Sequence, residues 1–274
     1  MNADSSVKPS ILDRPLSTLF KFNIETLLIA VLIILAIVTR FYNVDLRVMS
    51  HDEVNHVVPS YDLYEGRGYR HDPVTHGPLQ FHLVALSYFL LGDSDFSSRV
   101  PAALFSIVTV AFVAIAYRRY LGRIGSILAG LFFLISPYML FYGRYTRNEA
   151  FCALFGVLMI YAVLRYLDKG DNKALYLLTI ATVLNFTAKE TAYIYAAQLL
   201  LFIAVVFIER ISRRHWGEAE PKKRLFLALM GLAIVLLVVA LTFGVMYANA
   251  NKPPDDGSAA TVLPETLWMS YSMY

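Results

Sequence analysis

Histidines and carboxylates are the side chains of proton transfer and metal ligation, and here they crowd into one stretch. Between Ser50 and His82 (SHDEVNHVVPSYDLYEGRGYRHDPVTHGPLQFH) lie five of the six histidines, with Asp52, Glu53, Asp62, Glu65 and Asp72, in a chain only 16% charged. Asp52 and Glu53 form an adjacent acidic pair. If Asp52 to Leu63 is helical, Asp52 and His56 stand four apart on one face, where the imidazole could orient the carboxylate or share a cation with it. His71, Asp72 and His76 could complete a divalent-cation site with Asp52 or Glu53. Spacing across a loop is weak support for this, and loop hydrogen bonding is the more economical use of these histidines. The string HDEVNH is not the zinc-protease HExxH, because its histidines are five apart and both acids follow the first.

A second group of charges interrupts apolar sequence further on. Arg144, Arg147 and Glu149 stand at the mouth of an apolar run, and Lys189 and Glu190 divide another. Arginines at such boundaries can be snorkelling anchors, and Lys189 with Glu190 can be a self-paired bridge; the competing reading is a functional cluster facing the first loop. Glu149 also suits the N-terminus of the helix that follows it. Tyr138, Tyr142, Tyr145, Tyr193 and Tyr195 read as interface aromatics. Cys152, the single cysteine, reads as a small buried side chain and excludes an intrachain disulfide.

The elements that must hold these groups are membrane helices. A hydrophobic content of 57% and a mean hydropathy of +0.54 exceed the usage of soluble domains. The excess comes in blocks: Ile24 to Val38, Val100 to Tyr117, Ile124 to Phe141, Ala150 to Leu167, Ala174 to Ala188, Thr191 to Ile208 and Leu225 to Tyr247. About seven spans are expected over residues 22–247. With the N-terminal tail (1–21) in the cytoplasm, 15 of the 24 Lys and Arg residues fall on cytoplasmic pieces, which places the acidic loop (43–99) and the segment 248–274 outside. Leu79 to Leu91 is too short to span and is expected as an interfacial or re-entrant helix. The small, sorted net charge of +3 gives no support to a nucleic-acid partner.

The order of these features resembles the GT-C membrane glycosyltransferases, which include the protein O-mannosyltransferases and the lipid A aminoarabinose transferases. It is similar above all to the prokaryotic flippase-associated branch of archaeal N-glycosylation. The resemblance covers roughly Ile24 to Ile208. It rests on the acidic pair after the first helix, HGPLQF (His76 to Phe81), SSRVPAAL, SPYMLFYGRYTRNEAF and ATVLNFTAKETAYIY. It implies an all-α polytopic GT-C-like bundle whose large outward first loop carries short interfacial helices. It further implies a polyprenyl-phosphate sugar donor, Asp52 as catalytic centre with Glu53 completing the pair, and His76, Glu149 and Lys189 at substrate-binding positions. Gly77 in place of a first Pro, Glu149 in place of Asp and Glu190 after Lys189 depart from the family pattern and bear on sugar and acceptor identity. The chain is short for the family, so the resemblance implies an N-terminal portion.

The chemistry fits these residues. Transfer from a sugar phosphate passes through an oxocarbenium-like state and releases an anion, so cations are needed on the leaving side, and Arg144, Arg147 and Lys189 can supply them. The acceptor hydroxyl needs a base on the opposite face, and Asp52 is the candidate; inversion follows. The expected protein is thus a multi-pass glycosyltransferase of the plasma membrane, acting with the bilayer, a lipid-linked sugar and an acceptor, and with a divalent cation as the candidate cofactor. Two rivals differ in class. A lipid-linked-saccharide flippase or flippase partner would spread charge along its spans, and a metal-dependent hydrolase would carry metal.

Overall fold

The computed structural model describes residues 23–69 and 76–250. Among them there is no strand; the helices are α1 (Ile24–Phe41), α2 (His51–Tyr64), α3 (Pro78–Leu91), α4 (Asp95–Ala116), α5 (Arg118–Ile135), α6 (Pro137–Tyr142), α7 (Glu149–Lys169), α8 (Asn172–Ala188), α9 (Ala192–Arg213) and α10 (Glu220–Ala250), with a 3-10 turn at Gly217–Ala219. Five stretches are long and apolar enough to cross a membrane: Ile24–Phe41, Asp95–Ala116, Glu149–Lys169, Ala192–Arg213 and Gly217–Tyr247. The architecture is an all-α polytopic membrane fold, as the hydropathy blocks imply.

The two other expected spans are helical as well. Of these, α8 has 17 residues, and α5 carries Arg118, Arg119 and Arg123 at its start and is interrupted at Gly122, whose φ of 72° only glycine adopts readily. The run expected as one span from Ile124 to Phe141 is broken. Pro137 lacks an N–H and drives Ser136 out of the helical region (φ −54°, ψ 122°). Ser136 then caps a new short helix, α6, by accepting from the Met139 amide at 3.5 Å. The short apolar segment is the 14-residue α3, about 21 Å long and too short to span.

The chain divides into two compact units, Met1–Ile203 and Ala204–Tyr274. In the first, α4 is the central helix, packed against α1, α3, α5 and α7. Its buried face is built largely of small residues, Ser97, Ser98, Ala102, Ala103, Ser106, Thr109 and Ala114, which let neighbouring helices approach closely where lipid gives apolar side chains no incentive to leave it. Leu32 and Ala36 of α1, Ile107, Val110 and Ala114 of α4 and Leu134 of α5 form one apolar cluster. Phe151, Cys152 and Phe155 of α7 with Ala188 form a second, against which Leu79 and Leu83 of α3 and Phe105 of α4 pack. The second cluster joins the start of α7 to the end of α8. In the second unit, Trp216 stacks near Phe226 at 5.7 Å, and Lys223 donates to the Arg214 carbonyl at 3.0 Å.

Candidate active site

The acidic pair begins α2. Ser50 caps the helix and Glu53 occupies the reciprocal position, the two forming a capping box. Ser50 also shares a short hydrogen bond with the Tyr145 hydroxyl. Successive helical residues point about 100° apart, so the two acids part company. Glu53 is fully buried. Its carboxylate accepts from Arg99 Nε at 2.9 Å and Nη2 at 3.0 Å, Arg47 Nη2 at 2.8 Å, the Thr146 amide at 3.1 Å and the Ser50 amide at 3.2 Å. Burial pushes the Glu53 carboxyl up, but the bonds from Arg99, Thr146 and Ser50 outweigh it and hold the group below its ordinary range.

Asp52 is exposed and accepts from Arg147 Nη1 at 2.8 Å. Arg147 Nε lies 3.7 Å from Glu149 Oε2, and Glu149 Oε1 accepts from Lys189 Nζ at 2.7 Å. The side chains of Glu149 and Lys189 are only 11% and 14% exposed, so this ion pair is shielded in a way surface pairs are not. Asp52, Arg147, Glu149 and Lys189 therefore form a row of alternating charge that brings the α2 start, the α7 start and the α8–α9 connection together. Arg147 Nε and Glu149 Oε2 have no hydrogen-bond partner among the described residues. The row opens onto a cavity of about 350 Å³ lined by Tyr138, Glu149, Cys152, Lys189, Tyr195 and Gln198, among others.

His76 flanks the row. It sits in the left-handed region with φ 70°, rare for a residue with a Cβ, and its Nδ1 lies 2.7 Å from Glu190 Oε2. The next residue must be glycine: a Cβ on Gly77 would fall 2.1 Å from the Thr187 carbonyl oxygen, and the Gly77 amide donates to the Ala188 carbonyl at 3.3 Å. Lys189 and Glu190 thus do not pair with each other; each bridges to a distant element. His56 is buried, with its ring 5.8 Å from Phe81 and stacked 6.2 Å from His76. Burial first, then the positive charge of Arg147 and neighbouring His76, lowers its pKa to about 4. It does not orient Asp52, which Arg147 holds instead.

The remaining candidates lie elsewhere. Arg144 donates to the Thr39 carbonyl at 2.6 Å and the Asn43 carbonyl at 3.2 Å, and its cavity shares no lining residue with that of Lys189. His71 and Asp72 lie outside the described residues. Among the described residues no group of three or more His, Cys, Asp and Glu could hold a metal ion: of the expected ligands, Asp52 is held by Arg147, Glu53 by Arg99, His76 by Glu190, and His56 is packed between Phe81 and His76. Arg99 was legible in the sequence only as part of SSRVPAAL; the position of a lone Arg at the start of an apolar span was the available signal for its role.

This geometry can be set beside known proteins. The family model described as dolichyl-phosphate-mannose-protein mannosyltransferase matches residues 75–251. No curated protein matches. Among solved structures, ArnT from Cupriavidus metallidurans in the apo state superposes with a TM-score of 0.56 at 18% identity over 82% of this chain and 42% of that one. The Pmt1–Pmt2 protein O-mannosyltransferase complex of S. cerevisiae, bound to the sugar donor, gives 0.54 at 18% over 87% and 36%. ArnT bound to undecaprenyl phosphate gives 0.52 at 18% over 82% and 41%. The chain spans about two fifths of the length of these structures. They share its fold, that of the GT-C membrane proteins which the motif order resembles. The family match, covering well over half the chain, closes the assignment: this protein belongs to the dolichyl-phosphate-mannose-protein mannosyltransferase family.

Proposed function

We propose that this chain is the portion of a membrane glycosyltransferase that carries the catalytic carboxylate, moving a sugar from a polyprenyl-phosphate donor to an acceptor hydroxyl with inversion. The observation that carries the reading is the Asp52–Arg147 contact of 2.8 Å: an exposed carboxylate held against the first cation of a row that ends at Lys189. When the donor phosphate takes Arg147 and Lys189, Asp52 is released to act as base. The acceptor O–H proton passes to Asp52, the oxygen forms its bond to the anomeric carbon, and the bond from that carbon to the phosphate oxygen breaks. Arg147 and Lys189 stabilise the departing anion. Glu53, saturated by five donors, fixes the α2 start that aims Asp52 and takes no proton. Glu149 orients Lys189, and His76 ties the loop to Glu190.

The site is read on the outward face of the plasma membrane, with the N-terminus in the cytoplasm and about seven helices crossing over residues 22–247. The sorting of Lys and Arg supports that reading. The deciding experiment is transfer of labelled sugar from polyprenyl phosphate by the full-length protein in membranes. Asp52→Asn should lower turnover by roughly 10²–10⁴ while leaving donor binding in place. Wild-type turnover by that variant would overturn the assignment.

A further inference from the structure

Four arginines meet where α1 ends, and their charges do not balance. Arg99 and Arg47 share the single carboxylate of Glu53. Arg40, fully buried, donates to Ser106 Oγ at 3.2 Å, Thr39 Oγ1 at 2.8 Å and the carbonyls of Phe133 and Leu134 at 3.1 and 3.0 Å. Arg144 likewise reaches only the Thr39 and Asn43 carbonyls. Among the described residues neither Arg40 nor Arg144 makes an ion pair with a carboxylate, and Asp45, exposed on the same connection, pairs with none of the four. The carbonyl end of α1 offsets part of this charge. The rest is unmatched, and unmatched charge near a low-dielectric boundary attracts a counter-ion.

A cavity of about 480 Å³ lies at this point, lined by Val44, Arg47, Pro137, Leu140, Phe141 and Arg144. The Arg47 guanidinium covers the Phe141 and Tyr145 rings at 5.3 and 4.7 Å, and Arg144 lines the same cavity, whose other lining residues are apolar. We propose that this cavity is a binding site for the phosphate headgroup of an anionic membrane lipid, separate from the Asp52 row. Charge and geometry select phosphate, whose oxygens match the guanidinium fork. The apolar floor and the placement select a lipid. The cavity opens beside the last turn of an apolar span, where Tyr42 is 68% exposed and Phe141 47%, the depth at which aromatic rings and headgroups share the interface. The proposal does not depend on sugar transfer.

The test is native mass spectrometry of the full-length protein in neutral detergent, titrated with short-chain phosphatidylglycerol, with phosphatidylcholine and inorganic phosphate as the other arms. Wild type should bind phosphatidylglycerol in preference to phosphatidylcholine. Arg144→Gln, which keeps a donor toward the Thr39 carbonyl but loses the charge, should bind it roughly ten-fold more weakly, and Arg144→Lys should recover most of the loss. Leu140→Trp fills the cavity and leaves both guanidinium groups, so it should weaken binding as well and decides the matter should Arg144→Gln not fold. Equal affinity for the two lipids, unchanged phosphatidylglycerol binding in Leu140→Trp, or displacement of the lipid by an equal concentration of inorganic phosphate would each overturn the proposal.

Discussion

Arg99 grips Glu53 with two parallel hydrogen bonds, Nε to Oε1 at 2.9 Å and Nη2 to Oε2 at 3.0 Å, and both side chains are wholly buried. This joins the start of α2 to the start of α4 and separates the duties of two adjacent acids. Removing one partner leaves the other charged and unmatched in the interior, which costs about 3–5 kcal/mol. Glu53→Gln and Arg99→Met should therefore lower the thermal midpoint of the purified protein sharply. Asp52→Asn should leave it nearly unchanged, since a half-exposed pair contributes roughly 0–1 kcal/mol. A midpoint that falls equally in Asp52→Asn and Glu53→Gln would show that the acids are not divided in this way.

Kinetics should divide the row of charges as well. Asp52→Asn keeps shape and removes basicity, so turnover should fall by roughly 10²–10⁴ with donor affinity little changed. Lys189→Met and Arg147→Ala should instead weaken donor binding, because phosphate is charged before and after transfer. Donor affinity unaltered in both would remove these side chains from the phosphate site.

Acid should loosen the α2 end of the protein before it protonates Glu53. The folded pKa of His56 is depressed to about 4, below the ordinary imidazole value of about 6.5. Between these values the unfolded chain binds the extra proton, so the His56 contribution is fully present above pH ~6.5 and is lost as pH falls toward ~4. The Glu53 pKa is also lowered; its contribution is present above the ordinary carboxylate value near ~4.3 and fades only as pH falls further. Thermal midpoints measured from pH 7.5 down to pH 5 should drop in wild type and vary much less in His56→Gln. Parallel profiles in the two proteins would count against a buried neutral imidazole.

Orientation is checked with impermeant thiol reagents on intact cells, after Cys152, buried in the second cluster, is replaced by alanine. A cysteine at Gly66 should be labelled from outside and one at Glu218 should not. Labelling at Glu218 would invert the map.

Much of the scaffold was legible, and the reason is local. The apolar blocks, the short apolar segment from Leu79 to Leu91 and the helical spacing of Asp52 and His56 are written in neighbouring residues, and α2 and α3 lie where these place them. The break at Ser136 is equally local, a Ser-Pro pair inside an apolar run, yet reading Ile124 to Phe141 as one span passes over it. What spacing could not show was which acid faces inward. That depends on Arg99, 46 residues from Glu53, and on the Thr146 amide, 93 residues away. The same holds for Lys189, whose partner proved to be Glu149, 40 residues back, while its neighbour Glu190 turned to His76, 114 residues away.

Those separations impose an order of events during synthesis. A chain emerging from its N-terminus presents Glu53 long before Arg99, Arg147 or Ala188 exists, and Gly77 cannot dock on the Ala188 carbonyl until α8 has been made. Through that interval the acidic segment has only Arg47 among its counter-ions and lacks its docking strip. It must wait, hydrated and incompletely paired, while at least three further helices enter the bilayer. Maturation of the site is thus a late event, and a ribosome-bound chain halted before residue 188 would carry Asp52 in a segment still open to proteases.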